Sequence, residues 1–300
     1  MPAKKRTEVT KAIIAVAGWG TRFLPATKNQ AKQMLPIIDK PIIQHVVEEA
    51  VAAGIKDIII VTQAGHSHLE DHFDTHVELE DVLEKQGKWD LLEKIRGLPE
   101  MANFVYVRQN KHLPYGNGTP LLCAAPLIDD DEAFVYMFGD DLVLSQTPCT
   151  RQLLDVFART PNCDGVLAVQ EIPPSEVSRY GIVKFKEGSD EFAGLVEKPD
   201  PAAAPSNLAS FGRYVLNYKT IEALQEVGTG KDNELWLVDA ITKVAEEGGH
   251  FAVHKVEGKW VTTGDPLNYL KAIVEFALQR PDLAADFRAF LKKKIKNEFS

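Results

Sequence analysis

Along the chain, short β-branched apolar runs alternate with longer stretches whose apolar residues recur every three or four positions. That alternation predicts an α/β fold, with βα units on a largely parallel sheet. Buried strands are expected at residues 12–16, 57–62, 104–108, 134–138 and 165–169. Pro41 can open a helix that carries Ile43, Val46, Val47 and Ala50 on one face and stops at Gly54. Further helices are expected at 77–95, 119–125 and 151–158. After about residue 170 the period shortens to two: 181–186 and 192–197 alternate like antiparallel strands joined by a Gly188-Ser189-Asp190 turn. This reads as a small substrate-facing insertion. The stretch 199–206, with Pro201 and Pro205, reads as a stiff surface loop because strand-like 211–217 follows at once. Two helices, 266–278 and 281–295, close the chain. We expect one domain over 1–300, with a core at about 11–278 and a C-terminal helix at about 281–295.

Composition narrows the function classes. The 300 residues are 45% hydrophobic and 26% charged, with a net charge of −9. Such a balance disfavours nucleic acid and anionic membrane surfaces as partners, so an anionic ligand needs a local basic pocket. No run of about 18 apolar residues exists to cross a membrane. Lys4, Lys5 and Arg6 before an apolar stretch resemble a signal peptide, but that stretch, 12–17, is too short and suits a strand entering a glycine turn. Cys123, Cys149 and Cys163 fit no zinc spacing and cannot all pair with one another, which suits a reducing cytoplasm.

The chemistry concentrates after the first strand, in Ala17-Gly18-Trp19-Gly20-Thr21-Arg22-Phe23-Leu24-Pro25-Ala26-Thr27-Lys28, followed by Lys32. Two glycines let backbone amides approach a phosphate, and Arg22 and Lys32 add fixed positive charge. The segment reads as a triphosphate cradle, although a plain tight turn would also explain the glycines. It is not a Walker loop, and Phe23 at the third glycine position breaks the dinucleotide fingerprint. Asp140, just past the strand at 134–138, should stand where open α/β sheets gather ligands. Its carboxylate suits Mg²⁺, or else it caps a turn, the role expected of Asp141.

This cradle, with Lys32-Gln33-Met34-Leu35-Pro36 and Asp39-Lys40-Pro41-Ile42-Ile43-Gln44, resembles the bacterial UTP:glucose-1-phosphate uridylyltransferases, a group of sugar-phosphate nucleotidyltransferases. The resemblance runs from residue 11 to about 278 through Arg108-Gln109, Gly116 and Gly118, Gly139-Asp140-Asp141, Val196-Glu197-Lys198-Pro199, Gly212-Arg213-Tyr214-Val215 and the segment from Glu234 to Ile241. It implies a Rossmann-like mixed, mostly parallel sheet flanked by helices, with a small antiparallel sugar-binding insertion. It also implies UTP and glucose 1-phosphate as substrates and Mg²⁺ as cofactor. On this basis Ala17, Gly18, Gly20, Thr21, Arg22 and Lys32 hold the nucleotide, and Gln109 and Gly116 hold the uracil. Gly181, Glu197 and Lys198 take the sugar phosphate, Asp140 takes the metal, and Arg22, Lys32, Asp140 and Lys198 carry catalysis.

Bland alternatives stand beside these roles. Gln109 could satisfy loop backbone, Glu197-Lys198-Pro199 could be a solvated corner, and Tyr180-Gly181 could simply begin a strand. His66, His68, His72 and His76 lie on a polar stretch expected at the surface. Four positions depart from the family's pattern: Ala31 for proline, Gln33 for glutamate, Thr119 for histidine, and Thr262 where an aspartate would be a second metal ligand. Asp265 could substitute there or cap the helix at Pro266. The rival readings are a thymidylyltransferase of the same architecture and a weakened nucleotide-sugar-binding regulator. A nicotinamide oxidoreductase lacks support, since the second strand ends in Val61-Thr62-Gln63 with no acidic residue. The closing helices could supply a homo-oligomer interface.

Overall fold

The computed structural model describes residues 8–298. Lys4, Lys5 and Arg6, whose charge resembles that of a signal peptide, lie outside these residues. In chain order, β1 (Lys11–Ala15) leads through two 3-10 turns and a short ribbon, β2 (Pro36–Ile37) and β3 (Lys40–Pro41), into α1 (Ile42–Ala52). Then come β4 (Asp57–Thr62), α2 (His68–His72), α3 (Val77–Lys85), α4 (Trp89–Arg96), β5 (Asn103–Arg108) and α5 (Thr119–Ala124). The middle of the chain holds β6 (Ala133–Phe138), β7 (Asp141–Leu144), α6 (Cys149–Arg159), β8 (Gly165–Glu171), β9 (Gly181–Phe185) and β10 (Phe192–Glu197). It ends with β11 (Leu208–Asn217), α7 (Tyr218–Glu226), α8 (Leu237–Glu246), β12 (Phe251–Lys255), β13 (Lys259–Thr262), α9 (Pro266–Gln279) and α10 (Ala284–Glu298).

The Rossmann-like mixed sheet expected from the sequence is present. Nine strands form it, in the order β10-β9-β11-β6-β1-β4-β5, with β8 beside β11 and β12 beside β8. The run β6-β1-β4-β5 is parallel, whereas β11 is antiparallel to β6, β8 and β9. Residues 181–197 form the expected hairpin, which joins the sheet edge through β11. The run of β-branched residues in β4 follows from burial on both faces. Ile58 and Ile60 belong to the buried cluster on the α1 and α6 side of the sheet, and Ile59 and Val61 to the cluster on the opposite face, where α5 covers β4. Each such side chain contributes about 1.5–3 kcal/mol by burial.

The helix expected over 77–95 is two helices. Gly87 takes a left-handed φ of 66°. Lys88 N donates to Leu83 O and Gly87 N to Glu84 O, the bond pair that closes a helix at a glycine. The last helix begins at Ala284, not at Pro281. Because β1, β4, β5 and β6 run parallel, their carboxyl ends share one rim, and that rim carries the site.

Candidate active site

The loop after β1 is shaped around Gly20, whose φ of 62° places it in the left-handed region. Its carbonyl accepts from Phe23 N and Thr27 Oγ1, which curls Arg22 toward the rim. The loop after β5 closes against the segment before α8: Leu235 N donates to Tyr115 O, and Gly118 N to Leu235 O. Gly116, at φ 146°, permits this approach, since a Cβ there would fall 2.2 Å from Leu235 O. Between these loops lies a cavity of about 370 Å³, walled by Ala17, Gly18, Gly20, Arg22, Lys32, Gln109 and Gly116. Gln109 is tied by its main chain, with N donating to Thr62 O.

A second cavity, about 520 Å³, opens beside it against β9, β10 and β13, with Tyr180, Gly181, Glu197 and Lys198 in its wall. Lys198 has a φ of 45°, and its N donates to Tyr180 O. Its Nζ lies 4.2 Å from the centroid of the Trp236 ring and 3.6 Å from Glu197 Oε1. Burial raises the Glu197 carboxyl above its ordinary value, with Lys198 opposing.

The two cavities share Arg22, Asn117, Phe138, Asp140 and Trp236. At this seam Lys32 Nζ lies 2.5 Å from Asp140 Oδ2. Burial pushes the Asp140 carboxyl up, but the charge and hydrogen bond of Lys32 outweigh it and hold the group below its ordinary value. Arg22 Nη1 donates to Gly264 O across the seam. The Gly264 backbone passes so close that a Cβ there would stand 3.3 Å from Thr262 Oγ1 and 3.8 Å from both Arg22 Nη1 and Asp140 Oδ2. The residues proposed from sequence are thus brought together, except that exposed Thr21 opens a 3-10 turn outside both cavity walls.

Three sequence expectations need correction or refinement. Asp141 is no turn cap: it is buried at the start of β7, and its carboxylate accepts from Gly212 N and Trp260 Nε1. His66 is buried beside Gln63, because the chain turns inward ahead of α2, and burial lowers its pKa. His68 and His76 are exposed, and His76 caps α3. Asp265 takes the capping role, accepting from Asn268 N, and also pairs with Arg179 at 2.8 Å. Of the departures, Thr119 is buried with its hydroxyl donating to Pro114 O. Gln33 lines the first cavity, and its buried Oε1 has no hydrogen-bond partner among the described residues.

Sequence reading missed Asn117, Tyr115 and Trp236. Asn117 Oδ1 accepts from Leu237 N and its carbonyl from Tyr136 Oη, which locks the shared wall. Its place between Gly116 and Gly118 was the available signal. Trp236 lies in the segment from Glu234 to Ile241, and only the tertiary fold places its ring in both cavity walls.

A mixed α/β sheet with two joined cavities at its strand ends, and cations along their seam, is the architecture of an enzyme that brings two anionic ligands together. Residues 11–278 match the family described as nucleotidyl transferase. A UTP--glucose-1-phosphate uridylyltransferase of Staphylococcus epidermidis is 45% identical, covering 95% of this chain and 98% of its own. A UTP-bound UGPase from Acinetobacter baumannii superposes with a TM-score of 0.84 at 34% identity, over 94% of this chain and 98% of that one. A UDP-glucose pyrophosphorylase complexed with UDP-glucose gives 0.80 at 35%, over 91% and 100%. The chain belongs to the nucleotidyl transferase family.

Proposed function

We propose that this chain makes UDP-glucose and pyrophosphate from UTP and glucose 1-phosphate. The observation that carries the reading is the seam, where a nucleotide-sized cavity and a sugar-side cavity meet at Arg22 and Asp140. The substrates follow from the relatives, one named for UTP and glucose 1-phosphate and two solved with UTP or UDP-glucose.

A phosphate oxygen of glucose 1-phosphate attacks the α-phosphorus of UTP in line. The new P–O bond forms as the bond from the α-phosphorus to the bridging oxygen breaks, and pyrophosphate departs with that electron pair. The nucleophile is already ionised, so no enzyme base is needed, and catalysis rests on alignment and charge stabilisation. Gly18, Gly20 and Thr21 belong to the loop that receives the triphosphate, Gln109 and Gly116 meet the uracil, and Lys32 and Arg22 face the phosphates. From the other side, Lys198 holds the sugar phosphate, while Glu197 and the Gly181 backbone meet sugar hydroxyls.

The donor set fits Mg²⁺. Asp140 offers an ionised hard oxygen at the seam with the Thr262 hydroxyl beside Gly264, and Mg²⁺ commonly takes only one or two protein carboxylates. When bound there, it would neutralise phosphate charge in the transition state.

The reading also puts the enzyme in the cytoplasm, in keeping with its three thiols. No helix among the described residues is long and apolar enough to cross a membrane. The test is a matrix of nucleoside triphosphates against sugar 1-phosphates scored by pyrophosphate release. UTP with glucose 1-phosphate should lead, thymidylyl transfer should trail, and binding without release would mark a regulator instead.

A further inference from the structure

Asp140 reaches the seam on the turn from β6 to β7, and that turn is gripped from behind by a buried ion pair. Arg213 is 0% exposed and sits where the pairing of β11 with β8 shifts register between Ser210 and Tyr214. Its Nη1 donates to Phe138 O at 3.1 Å and Gly212 O at 2.8 Å, and its Nη2 to Asp141 O at 2.6 Å. Phe138 and Asp141 flank Gly139-Asp140, so one planar guanidinium holds the carbonyls on both sides of the acidic residue. The remaining donors go to Glu49 of α1, Nε to Oε1 at 3.0 Å and Nη2 to Oε2 at 3.0 Å. Glu49 Oε1 is held in turn by Thr150 N and Oγ1, at 3.0 and 2.7 Å. All five guanidinium N–H groups are engaged, a use that lysine cannot copy. From the opposite side, Thr263 N and Oγ1 both donate to Asp140 O at 2.8 Å.

We propose that Glu49 and Arg213 are positioning residues, a brace that fixes where the Asp140 carboxylate stands toward the metal–nucleotide complex. The inference rests on the reading of Asp140 given above. Fold stability is a weak account of such a pair, because a buried ion pair is often replaceable by apolar side chains without loss of stability. Its geometry accounts for it better: neither residue lines either of the two joined cavities, yet Arg213 holds the carbonyls on both sides of Gly139-Asp140 and Glu49 holds Arg213.

Two variants test the brace. Glu49→Met with Arg213→Met removes both charges while keeping volume, and Arg213→Lys keeps the charge opposite Glu49 but cannot span both carbonyls. Each is compared with wild type by thermal melting, by UTP binding in EDTA, and by Mn²⁺ titration with UTP followed by EPR. Expected are cooperative melting, unchanged UTP affinity in EDTA, and Mn²⁺ affinity weakened roughly tenfold to a hundredfold, the range seen when supporting partners of a metal ligand are removed. Wild-type Mn²⁺ affinity in whichever of the two variants melts cooperatively overturns the brace. Asp140→Asn separates the two levels. If it binds Mn²⁺ as wild type does, the reading of Asp140 falls; if it is defective while folded brace variants are normal, only the brace falls.

Discussion

Replacing Lys32 or Lys198 by alanine probes the seam from its two sides. Lys32 is in the wall of the nucleotide cavity alone, 13% exposed, with its Nζ 2.5 Å from Asp140. Lys198 is in the wall of the sugar-side cavity alone, 33% exposed, above the Trp236 ring. A hydrogen bond to a charged group contributes about 1.5–3 kcal/mol, and each 1.4 kcal/mol off a barrier is about tenfold in rate. If each ammonium makes one such contact to a phosphate in the transition state, turnover should fall roughly tenfold to one-hundred-and-fifty-fold. The companion change in KM should differ in kind: Lys32→Ala raises it for UTP and Lys198→Ala for glucose 1-phosphate. Pyrophosphate release, with each substrate varied against saturating partner, measures both. Wild-type turnover in either variant, or a Lys32→Ala defect confined to glucose 1-phosphate, would refute the division of the site.

Three further outcomes follow from the same geometry. Activity should vanish in EDTA, Asp140→Asn should lose most of it, and Thr262→Asp should lower the Mg²⁺ needed for half-maximal rate; an Asp140→Asn enzyme as active as wild type refutes the metal reading. UTP should outperform CTP by at least about fivefold, because cytosine leaves buried partners unpaired at a cost of about 1–3 kcal/mol, and Gln109→Ala should narrow that ratio; equal use of both by wild type excludes Gln109 as the base reader. Burial raises the folded-state carboxyl of Glu197 above 4.5, so ionising it costs stability as pH rises through its folded value. Glu197→Gln should therefore melt higher than wild type at pH 7, with the gain fading toward pH 4.5, while its KM for glucose 1-phosphate rises; equal melting at all pH values contradicts this.

The fold was legible where one physical rule dominated. Strands such as β4 and β6 are buried on both faces and read directly as apolar runs. The rim residues Gly18, Gly20 and Asp140 were findable because each follows such a run and strand ends collect ligands. Legibility failed where tertiary contact chose between equivalent local patterns. Residues 77–95 keep helical spacing through Gly87, and only the left-handed glycine with its two backward bonds shows the break. Asp140 and Asp141 are indistinguishable by type, and the phase of the turn after Phe138 decides which stands at the seam of both cavities and which lines the sugar-side one alone, tied to Trp260. Glu48 and Glu49 are the same case on α1: Glu48 pairs with Lys40, while Glu49 is turned inward to Arg213.

Charge joins these observations. A chain of net −9 offers no long-range attraction to a triphosphate, and the cations at its site are not bare. Lys32 stands against Asp140, Lys198 near Glu197, Arg179 against Asp265, and Arg22 on the Gly264 carbonyl. With each cation near an acceptor, the mutual repulsion of four neighbouring positive groups is offset within the protein itself. The same pairing lets an acidic protein keep basic side chains along both cavity walls, and it makes the placement of Asp140 and Glu197 part of the site's electrostatics: moving either carboxylate takes from Lys32 or Lys198 its nearest internal counter-charge.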